Sequence, residues 1–390
     1  MIEYSRLGFL EIELQQEVVV IKEDILEKII LVFMNTGSSD KAGFEYYMDE
    51  LKALTEAAGG QVAGSLVQNK QRPENATYIG SGKIEELKHL IIQSEADTVI
   101  FDRELSPVQL RNLEERLEIK VLDRTMLILD IFKQRAKSRE GKLQVELATL
   151  QYRLPRLRGK GQDLSRLGAG IGTRGAGEQK LELDRRYIRK RIKDIEKQIG
   201  KIEKTRGLHR KQRNRAGLKT ISLVGYTNAG KSTLFNALCK IAHKSGHEQV
   251  EADKRLFQTL DTTTRRIELC KGENVLLVDT VGFIRELPHN LVAAFRSTLE
   301  EAVFADLILH VVDIADEEYL EKIELVEEVL SDLGADQERI LTVFNKIDLL
   351  EDKPDINGVP GISAASAWGL NDLLETIRTR LNNEEFSIPK

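Results

Sequence analysis

Residues Thr220–Val224 (TISLV) form a short apolar run that leads directly into Gly225-Tyr-Thr-Asn-Ala-Gly230-Lys231-Ser232, followed by the helix-forming stretch Thr233–Lys240. This GxxxxGK[ST] pattern constrains the fold more than any other part of the chain. A strand, a glycine-bearing loop and a helix, in that order, aim backbone N–H groups and the positive end of a helix at one point, which is an anion site. The glycines let the main chain wrap a chain of phosphates. Lys231 supplies charge to the β- and γ-phosphates, and Ser232 can ligate Mg²⁺. Gly225, Tyr226, Thr227, Asn228, Ala229, Gly230, Lys231 and Ser232 are therefore candidate nucleotide ligands.

Three further elements identify the nucleotide. The apolar run Val275–Val278 ends in Asp279-Thr280-Val281-Gly282, a DxxG. There Asp279 holds Mg²⁺ through water and the Gly282 amide senses the γ-phosphate. The run at Val343 ends in Asn345-Lys346-Ile347-Asp348, an NKxD. Asp348 can accept both N–H donors on the guanine edge, which adenine lacks. Asn345 ties the base loop to the phosphate loop, and the Lys346 stem packs on the ring. Ser363, Ala364 and Ala365 resemble the last base loop, whose backbone amide receives guanine O6. Four motifs in this order predict a P-loop GTPase that binds GTP and GDP with Mg²⁺.

Switch I must offer a threonine to Mg²⁺ and the γ-phosphate. Phe257, Gln258, Thr259, Leu260 and Asp261 cover the segment. Thr259 is preferred over Thr263, because a Thr before Leu and after an aromatic residue resembles the Obg-like GTPases. The expected metal ligands are Ser232 and Thr259, and the expected catalytic groups are Lys231, Gly282 and Thr259. Ras-like and Gα proteins orient the attacking water with a Gln just after the DxxG. Here that residue is Phe283, which cannot polarise water, so slow basal turnover is expected, with help from a partner or a cation. Asn228 has the placement seen in potassium-activated GTPases, which makes K⁺ a candidate.

The rest of the chain divides by pattern. Residues 1–135 alternate strand and helix signals, with apolar runs at Lys28–Met34, Gln61–Gln68, Thr98–Phe101 and Lys120–Leu122. Alternation of this kind implies a parallel α/β sheet. Residues 136–215 carry two heptad seams, Leu143/147/150/154/157 and Ile188/192/195/199/202, which predict an antiparallel helical hairpin like a coiled coil. Its connection, Arg158–Gly177, is glycine-rich and cationic. Residues 216–382 form the doubly wound P-loop domain, and 383–390 a tail.

The net charge of −5 conceals an asymmetry: residues 133–215 hold 26 Lys and Arg against 9 Asp and Glu. Such a basic segment in an acidic protein points to a polyanionic partner, nucleic acid in preference to a merely solvated helical face; DNA is not the expected partner. No run of about 18 apolar residues occurs, so no transmembrane segment is expected, and at most peripheral membrane contact. Two cysteines without metal spacing and an N-terminus unlike a secretory signal suggest a cytoplasmic monomer.

The chain resembles the HflX family of bacterial GTPases along nearly its whole length. The resemblance rests on Ala76-Thr-Tyr-Ile-Gly-Ser-Gly-Lys83, Val99-Ile-Phe-Asp102, Gly141-Lys-Leu-Gln-Val-Glu-Leu147, Gly170-Ile-Gly-Thr-Arg-Gly175, Gly225-Tyr-Thr-Asn-Ala-Gly230 and Asp279-Thr-Val-Gly-Phe-Ile-Arg285. The family's Pro after Leu-Asp in switch I is here Thr262. The resemblance implies a factor that binds large-subunit rRNA through 136–215 and splits or rescues ribosomes, notably under stress. A nucleotide-dependent scaffold regulating a membrane protease or another protein is the alternative. A tRNA-modification GTPase is a third reading, but nothing resembles a second catalytic centre.

Overall fold

The computed structural model describes residues 26–37, 41–157, 176–242, 262–269, 272–285, 302–350 and 358–383. The first sheet is built from β1 (Lys28–Asn35), β2 (Gln61–Asn69), β3 (Thr98–Phe101) and β4 (Lys120–Asp123), all parallel, in the order β2-β1-β3-β4. Helices α1 (Lys41–Ala57), α2 (Ser81–Ser94), α3 (Pro107–Leu117) and α4 (Arg124–Arg135) cover it. Strand β1 is a continuous apolar run because both of its faces are covered. Ile29, Leu31 and Phe33 join a cluster with α1 and α4, while Ile30, Val32 and Met34 join another with α2 and α3. The α3 start follows from its sequence: Ser106 and Gln109 form a capping box, with Pro107 in the first turn. Asp123 caps α4, accepting from Met126 N at 2.9 Å.

Helices α5 (Arg139–Arg156) and α6 (Ala176–Arg215) pair as the seams predict. Leu143 and Leu147 pack on Ile195 and Ile199, and Arg191 makes a two-pronged contact with Glu146 at 2.6 and 2.8 Å. One feature differs from the expected hairpin. Val145, Ala148 and Tyr152, on another face of α5, belong to the N-terminal core. Helix α5 is therefore shared between that core and α6, since a leucine seam occupies only one stripe of a helix. The segment 158–175, read as the cationic connection, lies outside the described residues.

The second sheet comprises β5 (Lys219–Val224), β6 (Thr263–Glu268), β7 (Asn274–Asp279), β8 (Leu307–Asp313) and β9 (Ile340–Asn345), in the order β6-β7-β5-β8-β9, with β6 antiparallel. Helices α7 (Lys231–Ile241), α8 (Tyr319–Asp332) and α9 (Leu370–Asn383) pack on its faces. Strand β5 lies between β7 and β8, so consecutive connections leave it on opposite sides. That is the switch point at which doubly wound sheets bind ligands, beyond the carboxyl ends of the strands. Helix α9 runs one residue into the stretch read as a tail; 384–390 lie outside the described residues.

Candidate functional site

The loop after β5 can close only because two of its residues lack a side chain. Gly225 has φ +146°, and a Cβ there would come 2.2 Å from Val311 O. Gly230 has φ +91°, and a Cβ there would come 2.2 Å from Asn345 Nδ2. Between them Asn228 takes φ +63° and is exposed. Lys231 is buried and donates to Gly225 O at 3.0 Å and Tyr226 O at 2.8 Å. Burial pulls its ammonium down to about 8, with Asp279 opposing. Among the described residues its hydrogen bonds go to these two carbonyls.

The DxxG segment runs beside this loop. Thr227 N donates to Phe283 O at 2.7 Å and Phe283 N to Gly225 O at 3.1 Å. Thr280 Oγ1 donates to Leu223 O at 2.6 Å, while Val281 is buried in the N-terminal core cluster. Gly282 passes so close that a Cβ would lie 2.9 Å from Lys231 Nζ. Ser232 Oγ donates to Asp279 Oδ2 at 2.8 Å. A hydroxyl and a carboxylate are hard oxygen donors of the kind Mg²⁺ takes, so the two residues fit that ion.

Asn345 is the hub of the base side. Its Nδ2 donates to Ala229 O at 2.8 Å, and its Oδ1 accepts from Ala364 N at 2.9 Å. One side chain thus joins the phosphate loop to the last base loop, where Ser363 is buried and Ala365 exposed. Lys346 sits at φ +64° and pairs with Asp313 at 2.5 Å, a partner the motif alone does not reveal. Ile347 and Asp348 begin the short turn Ile347–Leu349, with Asp348 exposed at the rim. Phe257, Gln258, Thr259, Leu260 and Asp261 lie outside the described residues. Thr263, the second switch candidate, opens β6 in register with Asp279.

Two buried side chains complete the surroundings. Phe283 is 1% exposed and packs with Tyr226, Val326 and Leu330. His310 on β8 is also buried, and its Nδ1 has no hydrogen-bond partner among the described residues. Burial, then the nearby Lys231 charge, push the imidazole down to about 4. The apolar pattern of β8 gave no reason to single this histidine out.

Comparison with known proteins covers most of the chain. Residues 45–133 match a family profile described as GTP-binding GTPase N-terminal, 135–213 its Middle Region, and 220–346 a 50S ribosome-binding GTPase. GTPase HflX of Caldanaerobacter subterraneus subsp. tengcongensis is 52% identical over 359 residues, covering 92% of this chain and 81% of that protein. The chain belongs to the HflX family of GTPases. GTPase HflX of Escherichia coli (strain K12) is 44% identical over 345 residues, covering 86% of this chain and 79% of its own length. A crystal structure of SsGBP in complex with GDP superposes with a TM-score of 0.51 at 26% identity, over 91% of this chain and 99% of that one. Like other HflX GTPases, this protein binds guanine nucleotide and hydrolyses GTP. Among the described residues no helix is long and apolar enough to cross a membrane.

The buried histidine sets a pH dependence. Its ordinary value is 6.5 and its folded value about 4, so the unfolded chain takes up the proton first as pH falls. The stability due to neutral His310 is fully present above the ordinary value and is lost as pH drops through this window. Between pH 7 and 5 the loss should be about 2 kcal/mol. Urea unfolding of wild type and His310→Gln at both pH values checks this; an equal pH dependence in the two proteins contradicts it. A second expectation concerns Phe283→Gln. The amide would be buried rather than aimed at water, so GTP turnover should not rise, and stability should fall by roughly 2–4 kcal/mol. Faster turnover with unchanged stability would show that the side chain can reach the phosphate site.

Proposed function

We propose that this GTPase acts on the large ribosomal subunit, with rRNA engaged through 136–215 and the nucleotide cycle run by 216–382. The observation that carries the reading is helix α6, which leaves Arg186, Arg189, Lys190, Lys193, Lys197, Lys201 and Lys204 exposed while Ile195 and Ile199 face α5. A helical rod with one apolar stripe and many exposed cations suits a folded RNA, whose phosphates take Arg and Lys without base selection. The described function of the family matched by 220–346, 50S ribosome binding, supports the same partner.

In this reading each element of the site has a task. Lys231 meets the β- and γ-phosphates, and the loop amides from Tyr226 to Ser232 wrap them. The Gly282 amide meets the γ-phosphate, which GDP lacks. Asp348 accepts the two guanine N–H groups, and the Ala364 region meets O6. Ser232, Asp279 and Thr259 would hold Mg²⁺, which would neutralise charge that develops on the phosphates. Potassium at Asn228 is the proposed substitute for the missing Gln. Hydrolysis then releases the factor from the subunit, in keeping with splitting or rescue of stalled ribosomes.

Charge reversal on the arm tests this. In Lys190→Glu/Lys193→Glu/Lys197→Glu, turnover by the isolated protein should stay within about twofold of wild type, because the P-loop sheet holds its own site. Co-sedimentation with large subunits and subunit-stimulated turnover should both be lost, and the wild-type association should weaken steeply with salt. A triple variant that binds and responds to subunits as wild type does would remove the arm from the mechanism and favour a protein-binding scaffold.

A further inference from the structure

The nucleotide loop is tied to the N-terminal sheet by a closed ring of polar groups, two of which, Glu50 and Arg124, belong to no nucleotide motif. Glu50 on α1 accepts hydrogen bonds through one carboxylate oxygen from the Tyr226 hydroxyl and through the other from Arg124 Nη2, at 2.8 Å. Arg124, the first residue of α4, also donates to Arg285 O at 3.1 Å. Arg285 N in turn donates to the Tyr226 hydroxyl at 2.7 Å. Glu50, Arg124 and Tyr226 are each less than a tenth exposed. Both polar groups of the Arg285 backbone are thus held by the N-terminal domain and the second residue of the phosphate loop.

Apolar packing acts in the same direction. Val281 and Ile284, which flank the Gly282–Phe283 pair, are buried in the cluster formed by Phe33, Tyr47 and Leu51 of the N-terminal domain. Beyond the ring, the Arg285 guanidinium pairs with Glu318 at 3.6 Å and with Glu321. The 281–285 segment is consequently anchored on two sides, with Gly282 against Lys231 Nζ.

We propose that Glu50 and Arg124 are positioning residues of the GTP site: with the Tyr226 hydroxyl they hold the 282–285 backbone where the Gly282 amide meets the γ-phosphate. The proposal rests on the reading of Gly282 as the γ-phosphate sensor. Neither residue belongs to a nucleotide-binding motif. Their effect must therefore fall on GTP and leave GDP largely untouched, because GDP has no group at that position. A merely structural role would weaken both nucleotides together.

Two full-length variants separate these outcomes. Arg124→Lys keeps a positive charge for Glu50 and removes the guanidinium that reaches Arg285 O. Glu50→Gln/Arg124→Met removes both charges at once, so that neither is left buried alone. In each, affinity for the non-hydrolysable analogue GMPPNP should fall about tenfold, the size expected for a lost buried hydrogen bond to a charged group, and GDP affinity should stay within about twofold. Amide exchange across 279–285 in the nucleotide-free variants should be faster than in wild type. Equal weakening of GMPPNP and GDP, or no weakening of either, overturns the positioning role. The reading of Gly282 is checked separately in the wild type: GMPPNP, and not GDP, should protect 279–285 from exchange, and equal protection by the two overturns that reading rather than the ring.

Discussion

The backbone between β5 and α7 runs with no space beside it, and much of the molecule is arranged around that fact. A methyl group at Gly225 would meet the main chain of β8, and one at Gly230 would meet the amide of Asn345, each at 2.2 Å. Only glycine tolerates both the positive φ and the contact. Because Gly230 has no side chain, Asn345 can reach Ala229 O, and because it reaches there its other end gathers Ala364. Phosphate loop, NKxD and last base loop become one unit through a single buried side chain. The DxxG joins by backbone hydrogen bonds to Gly225 and Thr227. Lys231 is buried where the phosphate loop meets the DxxG, bonded to Gly225 O and Tyr226 O with Gly282 beside it.

The coupling of the two sheets follows from a difference between buried and exposed polar contacts. Surface ion pairs such as Lys28–Glu95, with both side chains largely exposed, contribute about 0–1 kcal/mol at most. Glu50 and Arg124 are 4% and 3% exposed, and removing either alone would cost roughly 3–5 kcal/mol through the charge left behind. Burial works against the Arg124 charge, but Glu50 together with Tyr47 and Tyr226 holds the guanidinium above its ordinary value. The N-terminal sheet is accordingly part of the surroundings of the nucleotide site. Helix α5 extends the same continuity toward the arm, with Tyr152 in the N-terminal core and Leu147 against α6.

Much of this was legible in the sequence, for reasons that differ between elements. Strands such as Thr98–Phe101 announce themselves because both faces are covered and the run is wholly apolar. The α3 start is written in Ser106, Pro107 and Gln109. The phosphate loop is legible because its constraints are local: positive φ, close backbone approach and a following helix. What escaped depends on long-range packing. Glu50 reads as one more acid on a helix, and nothing nearby in sequence signals Tyr226, 176 residues away. The double burial of α5 was hidden because its leucine seam accounts for one stripe only. His310 was invisible for a similar reason, since β8 pattern alone cannot say that a polar residue will lie beneath the phosphate loop.

In the proposed function these segments make one site shaped for guanine, with Asp348 accepting from the base. Replacing Asp348 by Asn exchanges one acceptor for a donor, which no longer matches the two N–H groups of guanine but does match xanthine, whose edge offers one N–H and one carbonyl. Calorimetric titration of Asp348→Asn with GTP and XTP tests this directly. Loss of GTP affinity by at least about tenfold, with a gain for XTP over wild type, is the predicted result; unchanged GTP affinity with no gain for XTP would contradict it.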